Sequence, residues 1–130
     1  MAFREFTTSS GKKVLAGKNS EQNDELVNQF LGKDNMLLHS ALPGSPFCVI
    51  QELKPSRQDL KETAIFCASK SQDWRDHHQD VIVHVFSGKE TYKGKRMKEG
   101  TFGVVKNKTI RVKRDEVEKY LAGIHKELDK

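Results

Sequence analysis

Val81-Ile82-Val83-His84-Val85-Phe86 is the stretch that decides the fold. Five of its six residues are β-branched or aromatic and apolar, a pattern that suits a buried strand. Toward the C-terminus, residues 108–113 alternate cleanly, with Ile110 and Val112 inward and Thr109, Arg111 and Lys113 outward. Residues 115–130 then repeat at helical spacing, with an inner stripe of Val117, Tyr120, Leu121, Ile124 and Leu128. Between them, 91–98 and 101–105 read as two further strands. Toward the N-terminus, 72–79 reads as a polar connection with Trp74 folded back on the core. Before it lies a helix capped by Ser56 and running to about residue 71, with Leu60, Ala64, Cys67 and Ala68 on one face. Those small side chains suit close packing on a sheet. Residues 36–39 and 47–51 read as short buried strands around the Leu42-Pro43-Gly44-Ser45-Pro46 turn. A helix capped by Asn19 or Ser20 runs to about residue 31, where Gly32 stops it. Residues 3–8 and 13–16 pair as a hairpin across Ser9-Ser10-Gly11. The expectation is α+β: a mostly antiparallel sheet covered by about three helices, one compact domain over residues 1–130.

The composition narrows the class. Of 130 residues, 35% are hydrophobic and 32% charged, which gives a polar chain with enough apolar content for one core. No apolar run approaches the roughly 18–20 residues that cross a bilayer. The opening Met-Ala-Phe-Arg-Glu-Phe lacks the basic-then-apolar order of a secretion signal. Cys48 and Cys67 fit no metal spacing and sit in apolar segments, as buried free thiols of a reducing compartment do. The expectation is a cytoplasmic protein with no membrane partner, no cofactor and no metal.

The formal charge of +5 is unevenly distributed. Residues 87–114 hold ten Lys or Arg against two Glu, and the rest of the chain is slightly acidic. Regional basicity of this kind points to a polyanion. The candidate contacts are Lys89, Lys93, Lys95, Arg96, Lys98, Lys106, Lys108, Arg111 and Lys113, with Lys18 standing apart. Tyr92 and Phe102 lie among them, and cations interleaved with aromatic rings are suited to RNA or single strands. Seven lysines to three arginines favours phosphate contact over base reading.

Gly17-Lys18-Asn19-Ser20-Glu21-Gln22-Asn23-Asp24 sets a strand end, a glycine and a helix start in succession. Free amides and the positive helix end there suit an anion. The segment matches neither glycine-rich nucleotide loop. Gln22 and Asn23 precede the inward Leu26 and Val27 by four residues, so both amides face the core and need partners. Either they tie the Pro43-Gly44 turn to the helix, or they touch a ligand. His39 ends a strand beside that turn, and nothing in the sequence activates the neighbouring Ser45 as a nucleophile. His77 and His78, being adjacent, diverge in an extended segment and lack a third metal ligand at suitable spacing.

These segments together resemble the NFACT-R domain family. Its pattern G-[RK]-N-x-x-Q-N-[DE] is met at 17–24. D-x-x-[LF]-H and P-G-S follow within 34–50, an S-K stretch within 64–70, a V-x-V strand at 81–85, and a lysine-rich segment with G-x-[VI] within 92–105. The family-motif positions are Gly17, Asn19, Gln22, Asn23, His39, Pro43, Gly44 and Ser45. Family members usually carry histidine after P-G-S, where this chain has Pro46. The resemblance implies a nucleic-acid-binding domain that is not an enzyme. Its expected partner is RNA, tRNA or rRNA, in ribosome quality control and translation, with DNA reported for shorter relatives and the ribosome as a further partner. Without the extra domains of large relatives, the expected role is a stand-alone binding module. The alternatives are an adaptor whose basic face meets an acidic protein, and an enzyme using His39 or the Asp76, His77, His78 cluster.

Overall fold

The computed structural model describes the backbone of residues 2–128 and the side chains up to Ile124. Six strands form one antiparallel sheet: β1 (Arg4–Thr7), β2 (Lys13–Ala16), β3 (Met36–Ser40), β4 (Cys48–Ile50), β5 (Val81–Ser87) and β8 (Lys108–Val112). Their order across the sheet is β1-β2-β4-β3-β5-β8. β6 (Thr91–Tyr92) and β7 (Gly103–Val104) make a separate ribbon. Four helices complete the chain: α1 (Ser20–Asn28), α2 (Arg57–Ser69), α3 (Gln72–His77) and α4 (Arg114–Leu128). The architecture is the expected α+β domain with an antiparallel sheet.

Alternation along the strands sorts the apolar residues onto two faces. One face carries Val14, Ala16, Leu38, Cys48, Ile50, Val83 and Val112, and packs against Ala64, Phe66 and Cys67 of α2, Trp74 of α3 and Val117 of α4. Ala64, Cys67 and Ala68 are fully buried, so the short side chains do bring α2 down onto the sheet. The opposite face carries Leu37, Val49 and Phe86 beneath Leu26 and Val27 of α1, with Phe102 and Val104 from the ribbon. At nine residues, α1 is too short to persist alone in water. Burying Leu26 and Val27 contributes roughly 1.5–3 kcal/mol each and holds it in place.

Three elements differ from the sequence reading. The polar connection at 72–79 contains α3, whose Trp74 N–H donates to Ser71 Oγ at 3.1 Å and whose end turns at His78 with φ +50°. Six residues are too few for periodicity to show. The strands expected at 91–98 and 101–105 shrink to two residues each, because the chain turns at Gly94 and at Gly100, where φ is +78°. Last, α1 ends at Asn28 rather than near residue 31. The chain beyond it unwinds to dock on the segment after β5, with Gly32 N–H donating to the Gly88 carbonyl at 2.9 Å and Lys89 N–H to the Lys33 carbonyl at 2.9 Å.

Candidate nucleic-acid interface

The three motif segments meet at one end of the sheet. Gly17 follows β2, Asn19 caps α1, His39 and Ser40 end β3, and residues 43–47 lead into β4. Asn19 Oδ1 accepts the Gln22 N–H at 2.9 Å. The Gln22 side chain reaches back one residue further than a capping box, and its Oε1 accepts the Lys18 N–H at 3.0 Å. Asn23 Oδ1 accepts the Phe47 N–H at 3.1 Å. Ser45 Oγ in turn accepts the Ser40 N–H at 3.0 Å. Gly17 is required because a β-carbon there would overlap the Asn23 carboxamide. Gly44 turns at φ +95°, and its carbonyl accepts the Gln72 N–H at 2.9 Å. Asn23 thus joins α1 to the turn, whereas Gln22 secures the start of its own helix. Side-chain oxygens accept the Lys18 and Gln22 amides, and the Lys18 side chain lines the cleft at the helix start.

This corner borders a cleft of about 580 Å³. Register places His39 beside His84 of β5, on the same sheet face as Leu37 and Phe86. His39 stacks on Phe47, with centroids 4.2 Å apart, and Phe47 meets Phe102 edge-on at 5.4 Å. Burial pushes the His39 imidazole down to about 4, with the neighbouring carbonyls of Ser40 and Ser45 opposing too weakly to prevent it. The ring is neutral at pH 7. Around these uncharged groups stand four cations: Lys18, Arg4 of β1, Lys70 after α2 and Arg75 of α3. Arg75 is fixed by donation to the Lys70 carbonyl at 3.0 Å and to Gln72 Oε1 at 2.9 Å. Arg4, Lys70, Arg75 and His84 escape sequence reasoning. They lie in segments of unremarkable charge, and only the fold brings them to one cleft.

The basic segment divides into three groups. Lys93 Nζ is turned inward to Asp24 at 2.8 Å, to the Lys98 and Thr101 carbonyls, and over the Phe102 ring. Lys95, Arg96 and Lys98 lie on the turn that leads into Glu99 and Gly100 at the cleft, and no ion pair engages them among the described residues. Lys106, Lys108, Arg111 and Lys113 follow β8 along the sheet edge, where Lys108 pairs with Val85. Lys89 pairs with Asp34 at 2.9 Å and Arg111 with Asp80 at 3.0 Å. Both pairs are exposed and screened by water, so a phosphate can replace the acid at small cost. Lys93 is bound differently, by several partners in a half-buried setting.

His77 Nδ1 lies 2.9 Å from Asp73 Oδ1, and His78 stacks on Trp74. Among the described residues no three His, Cys, Asp or Glu side chains converge as metal ligands. No helix there is long and apolar enough to cross a membrane. Cys48 and Cys67 are free and buried, and burial pushes the Cys48 thiol up.

An antiparallel α+β sheet whose end is closed by a glycine–amide corner beside a cation-rimmed cleft is the class of domain defined by this geometry. The chain belongs to the NFACT protein RNA binding domain family, whose model matches residues 2–106. It is 32% identical over 72 residues to the archaeal Rqc2 homolog aRqcH of Methanocaldococcus jannaschii, a match covering 54% of this chain and 11% of that protein. It is 35% identical over 71 residues to the Rqc2 homolog RqcH of Bacillus subtilis, covering 52% and 12%. Among solved structures, the C-terminal part of the fibronectin/fibrinogen-binding protein from Streptococcus suis superposes with a TM-score of 0.77 at 27% identity, over 92% of this chain and 49% of that one. The chain therefore spans only a small part of the curated relatives it matches.

Proposed function

We propose that this domain is a non-catalytic RNA-binding module that grips structured RNA, tRNA or rRNA, in the setting of ribosome quality control. The observation that carries this reading is the convergence of Arg4, Lys18, Lys70 and Arg75 on the cleft built by the family motif. Lys95, Arg96 and Lys98 on the adjoining turn extend the same positive surface. Lys89, Lys106, Lys108, Arg111 and Lys113 supply a second strip along the sheet edge, suited to the flank of a large RNA. Membership of an RNA-binding family supports RNA as the ligand class, and the resemblance to the Rqc2 and RqcH relatives supports the context.

Fluorescence anisotropy with tRNA at two salt concentrations tests the reading. Each phosphate contact contributes about −0.7 to −0.9 to the slope of log K against log salt. Engagement of the four cleft cations alone gives a slope of about −3. Reversing Lys95, Arg96 and Lys98 to Glu weakens binding at least tenfold. Salt-independent binding, or full affinity in the reversed variant, would count against this surface.

A further inference from the structure

We infer that the cleft receives a single unpaired nucleotide of the bound RNA, its base against His39, His84 and Phe102, so that the domain prefers loops and single-stranded ends to continuous duplex. This rests on the RNA-binding reading above and narrows its ligand.

Shape is the first support. A base pair inside a duplex presents only an edge, shielded by convex phosphate walls, and cannot enter a concave site at a sheet end. A nucleotide turned out of the stack can. At about 580 Å³ the cleft lies within the range of small-ligand sites, roughly 300–1,000 Å³.

The distribution of charge is the second. A site for phosphate alone would bring its cations to the floor. Here uncharged rings line the cleft among the cations: the neutral His39, the Phe47 stacked on it and the neighbouring Phe102. A neutral imidazole has one donor and one acceptor nitrogen, which suits the mixed edge of a base. With His84 directly across β3 and β5, two such rings lie side by side. Glu99, exposed and accepting from Ser20 Oγ at 3.3 Å, also lines the cleft, on the side of the α1 start.

Rigidity is the third. His39 is clamped against Phe47, whose own N–H is fixed by Asn23, and the Ser40 N–H next to His39 is fixed by Ser45. Rings already in place lose little freedom on binding a base.

The experiment compares two RNAs sharing one stem, closed by an unpaired loop or fully paired and blunt, by anisotropy at one salt concentration. Wild-type protein is expected to bind the looped RNA at least tenfold more tightly. In His39→Gln and His84→Gln that ratio falls toward one. His84 is half-buried on a strand surface, so its variant keeps the test alive should the His39 variant fail to fold. Adenosine monophosphate added to isotopically labelled protein should shift resonances of His39, His84 and Phe102. Equal affinity of wild type for both RNAs, with no such shifts, overturns the nucleotide pocket and leaves RNA binding standing. Absence of binding to either RNA overturns the RNA reading itself.

Discussion

Lys93 Nζ and Asp24 Oδ1 lie 2.8 Å apart, linking the middle of the basic segment to the first turns of α1. The same Asp24 oxygen accepts the Gly100 N–H at 3.0 Å, and the same ammonium reaches the Lys98 and Thr101 carbonyls. The Lys93 bond and the Gly100 N–H hold the Asp24 carboxyl below its usual range. One lysine of the basic segment therefore folds the loop instead of facing a ligand. Lys93→Met leaves two carbonyls without their ammonium donor and Asp24 with the Gly100 and Asn28 N–H groups alone, which costs roughly 1–3 kcal/mol. Chemical denaturation measures the loss, and amide exchange at Gly100 should accelerate. A change of under 0.5 kcal/mol would mean the pair contributes little.

Gly17 and Asn23 make a second coupled pair. Gly17→Ala drives a β-carbon into the Asn23 carboxamide, and Asn23→Ala leaves the buried Phe47 N–H unpaired. Each should cost about 1–3 kcal/mol. Since both act on one contact, the double variant should lose clearly less than the sum. A thermodynamic cycle from urea melts gives the coupling, and strict additivity would separate the two residues.

His39 makes stability depend on acid. Its folded value lies at about 4 against an ordinary 6.5, so the unfolded chain binds the proton first. Stability contributed by the neutral ring is present above about pH 6.5 and is lost as pH falls toward 4. Asp24 and Asp59, held low by Lys93 and by the Ser10 hydroxyl respectively, lose their contributions only below the ordinary carboxylate range. His77, raised by its bond to Asp73, keeps its contribution throughout that window and loses it only at higher pH. Melting temperature followed from pH 7 to 4 should therefore decline in wild type and decline less in His39→Gln. Parallel curves for the two proteins would remove His39 as the cause.

Charge reversals should rank by position. The Lys95, Arg96, Lys98 turn leads into the cleft-lining Glu99 and Gly100, and Lys106 and Lys108 belong to the sheet edge at the start of β8. Reversal of the first group should weaken tRNA binding several-fold more than Lys106→Glu with Lys108→Glu, at equal melting temperature. The opposite ranking in anisotropy titrations would move the principal contact to the sheet edge.

Much of the fold was legible because its period was strong. The β-branched run of β5, the alternation of β8 and the Ser56 cap of α2 each state their structure locally. α3 was hidden, since six residues under a serine cap carry too short a pattern, and the buried Trp74 was its one local sign. The ribbon was misjudged in length because tertiary bonds from Asp24 and Lys93 replace the expected strand ladder. At the candidate site, the motif residues were visible as polar groups unsuited to a core. Arg4, Lys70, Arg75 and His84 were not, because their proximity depends on sheet order and helix placement, which no local window contains.

The family match stops at residue 106, yet β8 pairs along most of β5, and Val117 of α4 is fully buried against the sheet. A fragment cut at that boundary would expose the bare flank of the apolar strand β5. Such a flank recruits strands from other copies, so the shortened polypeptide should precipitate or form fibrils. The last two elements thus cover the flank through which such pairing would run.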